Sequence, residues 1–377
     1  MSGPLYQLAA IPNKKPDDAH AGLWFDRFFN AYKTDWTLAP EAKSEWIKQV
    51  RGPVGQQIQL EHFVKRQIAL VSQLKGSSQR YETDWHFITG MGNSHPVENG
   101  FSWHSTLGVP YLAGSAVKGL VRAWVELNDE ALNPVEQKAR LKSWFGTEEK
   151  GDVAEQAGDF IFFDAIPDQR PSLVCDIMTP HMGDWYAEGG KGQPNNSKSL
   201  PADWHEPVPV SFLAVKHAKL IFSIAPRKAE RADQLAAVFN ALSQALEWLG
   251  AGAKTAAGYG YMTEDPGFLK EMQAQRDADA LIQAKNERLN KLSPIEKEIV
   301  LLLELNNSQV PQDYLLNELR KDHWTHSEDK YVVANKVKVL MQDAGAWIPL
   351  PPTSKKNDKK HQRTLEVMAY LKADERL

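Results

Sequence analysis

The run GAGAKTAAGYG, from Gly250 to Gly260, restricts the fold more than any other part of the chain. It follows an amphipathic pattern from about Arg231 to Leu249, in which Leu235, Val238, Phe239, Leu242, Leu246 and Leu249 recur on one helical face. A short strand, Tyr259 to Thr263, follows directly, so the glycines join a helix to a strand. A nucleotide-binding P-loop runs the other way, from strand into helix. Here Ala253 precedes the lysine and Trp248 stands where that motif's first glycine belongs. The dinucleotide fingerprint fails as well, because Thr255 replaces its third glycine. Gly250, Gly252, Gly258 and Gly260 permit backbone angles that turn successive N–H groups into one concavity, an anion-binding nest. Lys254 would add a charge to it and Thr255 a hydroxyl. The competing reading is a helix C-cap with a loose turn.

Upstream, Ala21 to about Lys75 is predicted to be helical, with Leu23, Trp24, Phe28 and Phe29 in one apolar stripe and Ile58, Phe63, Ile68 and Leu70 continuing it. Tyr81 to Met91 reads as a strand ahead of the turn-rich GNSHPVENG. A helix should begin after Gly114-Ser115, capped by Ser115 and burying Val117, Leu120, Val121 and Trp124. Strands are expected at Phe160–Phe163 and Leu173–Ile177, and two more between Val208 and Ile224, joined near Lys216. Residues 189–201 read as an exposed loop. The predicted order is strand, helix, strands, helix, strand. That is an α+β, ferredoxin-like (RRM-related) β-α-β-β-α-β core over 1–266, with N-terminal helices and an enlarged middle. From 267 to 377 a charged helical extension follows, with a basic linker at Lys355, Lys356, Lys359, Lys360 and Arg363 before its last helix.

Composition narrows the class of function. The 377 residues carry a formal charge of -4, where a stand-alone duplex-DNA binder is usually far more basic. Any nucleic-acid groove must therefore be local. Twelve tryptophans point to aromatic surface for packing, stacking or interfaces. Cys175 is the single cysteine, which excludes an internal disulfide and a thiolate metal cage. The first residues lack a signal-peptide pattern and no apolar stretch of about 18 residues occurs. The expectation is a cytoplasmic protein with no membrane partner.

Lys118 and Arg122 lie four apart and share a helix face near its N-terminal turn. A helix N-terminus favours anions, so two cations there point to a phosphate backbone, unless both are merely solvated. His104 and His181 lie in aromatic, glycine-bearing segments and suit a base edge, a general base or a packing role equally. His323 and His326 lack a third ligand in register, and Cys175 in an apolar strand reads as core. No catalytic set, metal site or cofactor motif emerges.

Six segments, AGLWFDRFF, LGVPYLAGSAVKGLVR, GDFIFFDAIP, CDIMTPH, PADWHEPVPVSFLAV and GAGAKTAAGYG, occur in this order between about Ala21 and Thr263. The series resembles the RAMP superfamily of CRISPR effector proteins, and within it the sixth-subunit family of type III-B (Cmr) complexes. The resemblance implies a subunit that holds the guide RNA (crRNA) toward its 3′ end, at the head of a filament of RAMP subunits. Its neighbours would be the repeated backbone subunit and the small helical subunit, with target RNA a further candidate partner. Cutting of target RNA belongs to the backbone subunit in that family, so the implication is binding and not catalysis, in antiviral defence. Carried onto this chain, the RNA-contacting role falls on Gly114, Ser115, Lys118 and Arg122, and on Gly250, Gly252, Lys254, Thr255, Gly258 and Tyr259. Tyr259, Trp103 and His181 are candidates for base stacking. Ala116 stands where the family often has a second serine, and the last hundred residues lie outside the family core.

Two other classes compete. One is a metal-independent RAMP-type ribonuclease that processes precursor crRNA, with His104 or His181 and Lys118 as suspects. The other is a protein-only scaffold that uses its tryptophans and helical tail as interface.

Overall fold

The computed structural model describes residues 12, 14–128, 133–147, 155–187, 196, 200–202, 204–306, 310–351 and 358–372. Most of the 189–201 loop, together with Lys355 and Lys356 of the basic linker, lies outside the described residues. Two compact units divide the chain, Met1–Lys270 and Glu271–Leu377.

The first unit begins with helices α1 (Ala21–Arg27) and α2 (Ala42–Lys48), the two-residue strand β1 (Gly52–Pro53) and α3 (Gln57–Gln73). The buried stripe of α3 is Leu60, Val64, Ile68 and Val71, at helical spacing, whereas Ile58 and Leu70 are exposed. Leu23 is likewise exposed on α1. Then come β2 (Ser77–Thr83), β3 (His86–Phe87) and the hairpin β4 (Ser94–His95) with β5 (Glu98–Asn99). Helices α4 (Gly114–Asn128) and α5 (Pro134–Phe145) follow, then β6 (Gly146–Thr147), β7 (Gln156–Ala157), β8 (Phe160–Phe162), β9 (Ile166–Pro167) and β10 (Ser172–Met178). After the short α6 (Gly183–Ala187) come β11 (Val210–Lys216), β12 (Lys219–Pro226), α7 (Leu235–Trp248) and β13 (Met262–Glu264).

β4–β5 and β6–β7 are separate two-stranded pairs, and two larger antiparallel sheets hold the other strands. One has the order β13-β2-β12-β8, with β9 also paired to β12, and the other the order β1-β10-β11-β3. The expected Tyr81–Met91 strand is thus two strands in different sheets, because the chain turns at Asp84-Trp85. A left-handed residue, His217, makes the matching switch between β11 and β12.

β12 is buried along nearly its whole length, which requires cover on both faces. Leu220, Phe222 and Ile224 share a face with Tyr81, whose hydroxyl meets Ser243 of α7 at 2.7 Å. On the other face Arg80 is buried and bridges Asp168 and Asp265 at 2.8–3.0 Å, while α3 reaches Asp168 through Gln57. The Gly267 N–H and the Arg80 guanidinium hold the Asp265 carboxyl below its usual range. α4 packs on α7 and on β8.

The second unit holds most of α8 (Phe268–Asn290), then α9 (Pro294–Asn306), α10 (Pro311–Arg320), α11 (Ser327–Asp343) and α12 (Asp358–Lys372). Its core joins Ile299, Leu315, Leu319, Trp324, Val333, Val337, Met341 and Val367. Lys359, Lys360 and Arg363 of the expected linker lie within α12.

Candidate nucleic-acid interface

The glycine run is stitched to the β2–β3 turn and the segment after it. Asp84 N–H donates to Tyr261 O at 3.0 Å, Gly260 N–H to His86 O at 2.8 Å and Ala253 N–H to Ile88 O at 2.9 Å. Gly252, at φ +86°, makes this approach possible, since a Cβ there would stand 2.0 Å from Ile88 O. The N–H groups of Gly250, Ala251, Ala253, Ala257, Gly258, Tyr259 and Gly260 all donate to backbone carbonyls. The glycines therefore shape the loop, and their own amides (Gly252 apart) are already used.

The free donors lie one step further in. Lys254 is a non-glycine residue in the left-handed region (φ +57°, ψ +33°), followed directly by a right-handed 3₁₀ turn, Thr255–Ala257. A left-to-right succession points three consecutive N–H groups the same way. Those of Lys254, Thr255 and Ala256 meet no acceptor among the described residues. The nest is thus centred on Lys254 rather than on the glycines.

Beneath it lies an aromatic floor. Lys254 Nζ sits 5.7 Å above the Phe212 ring, and Phe212 meets the Tyr259 ring edge-on at 6.0 Å. Ile88, Phe212, Ala214 and Tyr259 form one small core, with Ala253, Val174 and Met178 against it. The Tyr259 hydroxyl donates to Asp176 at 2.7 Å. Burial and that carboxylate push its pKa upward, so it stays a donor. Tyr259 is only 6% exposed, and its ring meets that of Trp85 at 4.7 Å with a 36° tilt, so it serves internal contacts. Trp85, at 45% exposure, is the accessible ring of this cluster.

The second motif opens α4. The helix starts at Gly114, whose N–H donates to Asp164 Oδ1 at 2.7 Å, so Asp164 and not Ser115 caps it. Gly114 is needed for close approach, as a Cβ would lie 2.3 Å from Phe162 O. Ser115 is exposed, Lys118 half-buried, and Arg122 pairs with Glu126 at 2.8 Å. Neither Lys118 nor Lys254 forms an ion pair among the described residues. Thr89 Oγ1 donates to Tyr111 O at 2.9 Å, three residues ahead of α4. The segment His86–Thr89 therefore touches the glycine loop on one side and the approach to α4 on the other.

Other sequence candidates fall elsewhere. Trp103 packs on Phe25 and Phe101 and lies tight against Gly22, so its ring belongs to the N-terminal helical cluster. His181 is exposed just beyond β10. His104 Nδ1 accepts N–H bonds from Thr106 and Leu107 and its ring meets Phe63 and Tyr111, and burial lowers its pKa. It pins a loop as neutral imidazole. His323 bonds Glu298 at 3.0 Å, and Cys175 pairs across the sheet with Leu213. Trp85 lies in no motif, and Asp164 and Asp176, although within GDFIFFDAIP and CDIMTPH, take no role from those motifs. Only the tertiary pairing of distant loops reveals them.

Residues 80–263, which hold both sheets' central strands, α4 and the glycine loop, match the RAMP superfamily. This stretch is similar to RAMP-superfamily domains. A CRISPR system Cmr subunit Cmr6 from Pyrococcus furiosus is 26% identical over 245 residues, covering 52% of this chain and 70% of that protein. Among solved structures, a chain of the type III-B Cmr-beta complex bound to cognate target RNA is 22% identical, with a TM-score of 0.44, over 59% of this chain and 71% of that one. The crystal structure of Cmr6 from Pyrococcus furiosus is 23% identical with a TM-score of 0.29, over 50% of this chain and 98% of that one. No described helix is long and apolar enough to cross a membrane.

Proposed function

We propose that the chain is a non-catalytic crRNA-binding subunit of a cytoplasmic type III-B effector, at its head near the 3′ end of the guide. The observation that carries this reading is the Lys254 nest. Among the described residues, three N–H groups without an acceptor and an ammonium without an ion pair belong to one loop inside the RAMP-matched stretch. Such a seat holds a phosphate without regard to sequence, as a protein that accepts any guide requires. Lys118, half-buried and without an ion pair among the described residues, extends the reading to α4. The order β13-β2-β12-β8, with α4 and α7 as connections, supports a ferredoxin-like β-α-β-β-α-β core in which β10 and β11 are an insertion. Its partners are then the repeated backbone subunit and the small helical subunit.

Pull-down of the tagged chain from cells that carry its neighbouring genes tests the assignment. The expected outcome is short RNA with a common repeat-derived 5′ tag, recovered together with other RAMP subunits. Precursor RNA cut by the purified chain alone would make it a ribonuclease. Recovery of subunits without RNA contact in this chain would leave a protein-only scaffold.

A further inference from the structure

We infer that Trp85 is a stacking platform for an unpaired nucleobase of the RNA whose phosphates the Lys254 loop receives. The inference rests on the RNA-binding reading above and adds a residue that the motifs do not mark. Trp85 stands at the turn between β2 and β3. Its carbonyl accepts from His217 N–H at 3.1 Å and from Thr83 Oγ1 at 3.2 Å, which fixes the backbone. His86 lies nearly parallel to its ring at 4.7 Å and 19°, and Tyr259 supports it at 4.7 Å and 36°. Tyr259 is itself held by Asp176 at 2.7 Å. The indole is thus positioned before any ligand arrives, yet Trp85 remains 45% exposed. Base–aromatic stacking tolerates any base, and a fixed ring adds little ordering cost on binding.

Ring contacts, rather than exposure, mark Trp85 out from Trp36. Contacts of 4.7, 6.0 and 5.7 Å lead in turn from its ring to Tyr259, to Phe212 and to Lys254 Nζ, within the reach of one short oligonucleotide. Trp36, by contrast, has Tyr32 as its ring neighbour in the N-terminal helical region. A phosphate seat beside an exposed aromatic residue is the pairing that single-stranded nucleic acid requires.

The test is fluorescence anisotropy of a labelled oligouridine, and of the same length with abasic sites, on the full-length chain. Trp85→Leu keeps an apolar cover over Tyr259 but removes the aromatic face, and Trp85→Phe retains one. Trp36→Ala serves as a distant control. Trp85→Leu is expected to weaken oligouridine binding about 5- to 100-fold, with Trp85→Phe and Trp36→Ala close to wild type. On abasic RNA the wild type and Trp85→Leu should converge. Clear wild-type binding that Trp85→Leu leaves unchanged would overturn the platform while the RNA reading stands. No oligouridine binding by the wild type would overturn both.

Discussion

Alanine at position 252 is expected to open the glycine loop. The backbone there is at φ +86°, a region that costs an L-residue about 1–2 kcal/mol. The added Cβ would also stand 2.0 Å from Ile88 O and 2.9 Å from the Phe87 ring. Ile88 O cannot retreat without losing the Ala253 N–H bond that pins the nest. The combined loss should be about 3 kcal/mol, a melting-temperature drop of roughly 6 °C or more for a unit of this size. Gly92→Ala, at a position with open space, should melt within about a degree of wild type. Thermal melts of the two variants check this. Equal melting temperatures for Gly252→Ala and wild type would mean that the loop is not held as described.

RNA affinity should fall at least tenfold when Lys118 and Lys254 are both changed to alanine, because each removes one charged contact to a phosphate. Salt dependence is the sharper readout. For single strands each neutralised phosphate contributes about 0.7 to the slope of log K against log salt, so the double variant should be shallower by about 1.4. Both side chains lie outside the buried core, and the fold should melt as the wild type does. Arg122→Ala should do less, since Glu126 already occupies that guanidinium. A double variant with unchanged slope would remove both lysines from the RNA path.

Much of the framework is legible in the sequence because it is local. The 3.6-residue period of Val238, Phe239, Leu242 and Leu246, and the apolar run of β12, follow from short-range pattern alone. What stays hidden depends on partners distant in the chain. Ser115 has the composition of a cap, yet Asp164, fifty residues on, takes the amide of Gly114. Tyr81–Met91 has the residues of a single strand, yet β12 and β11 draw its two ends into different sheets. Glycine composition suggests where a nest can form. The backbone carbonyls that meet the loop, those of His86 and Ile88 among them, decide which amides remain free for a ligand. Tyr259 reads as a stacking residue, but it is buried against Trp85, which is the exposed member of the pair.

The most direct test of the central claim is photo-crosslinking of bound single-stranded RNA to the full-length chain, with the modified peptides identified by mass spectrometry. The account predicts adducts in the peptides that carry Trp85–Thr89 and Gly250–Gly260, and their loss in the Lys118→Ala, Lys254→Ala double variant. Adducts confined to other peptides, unchanged in that variant, would contradict it.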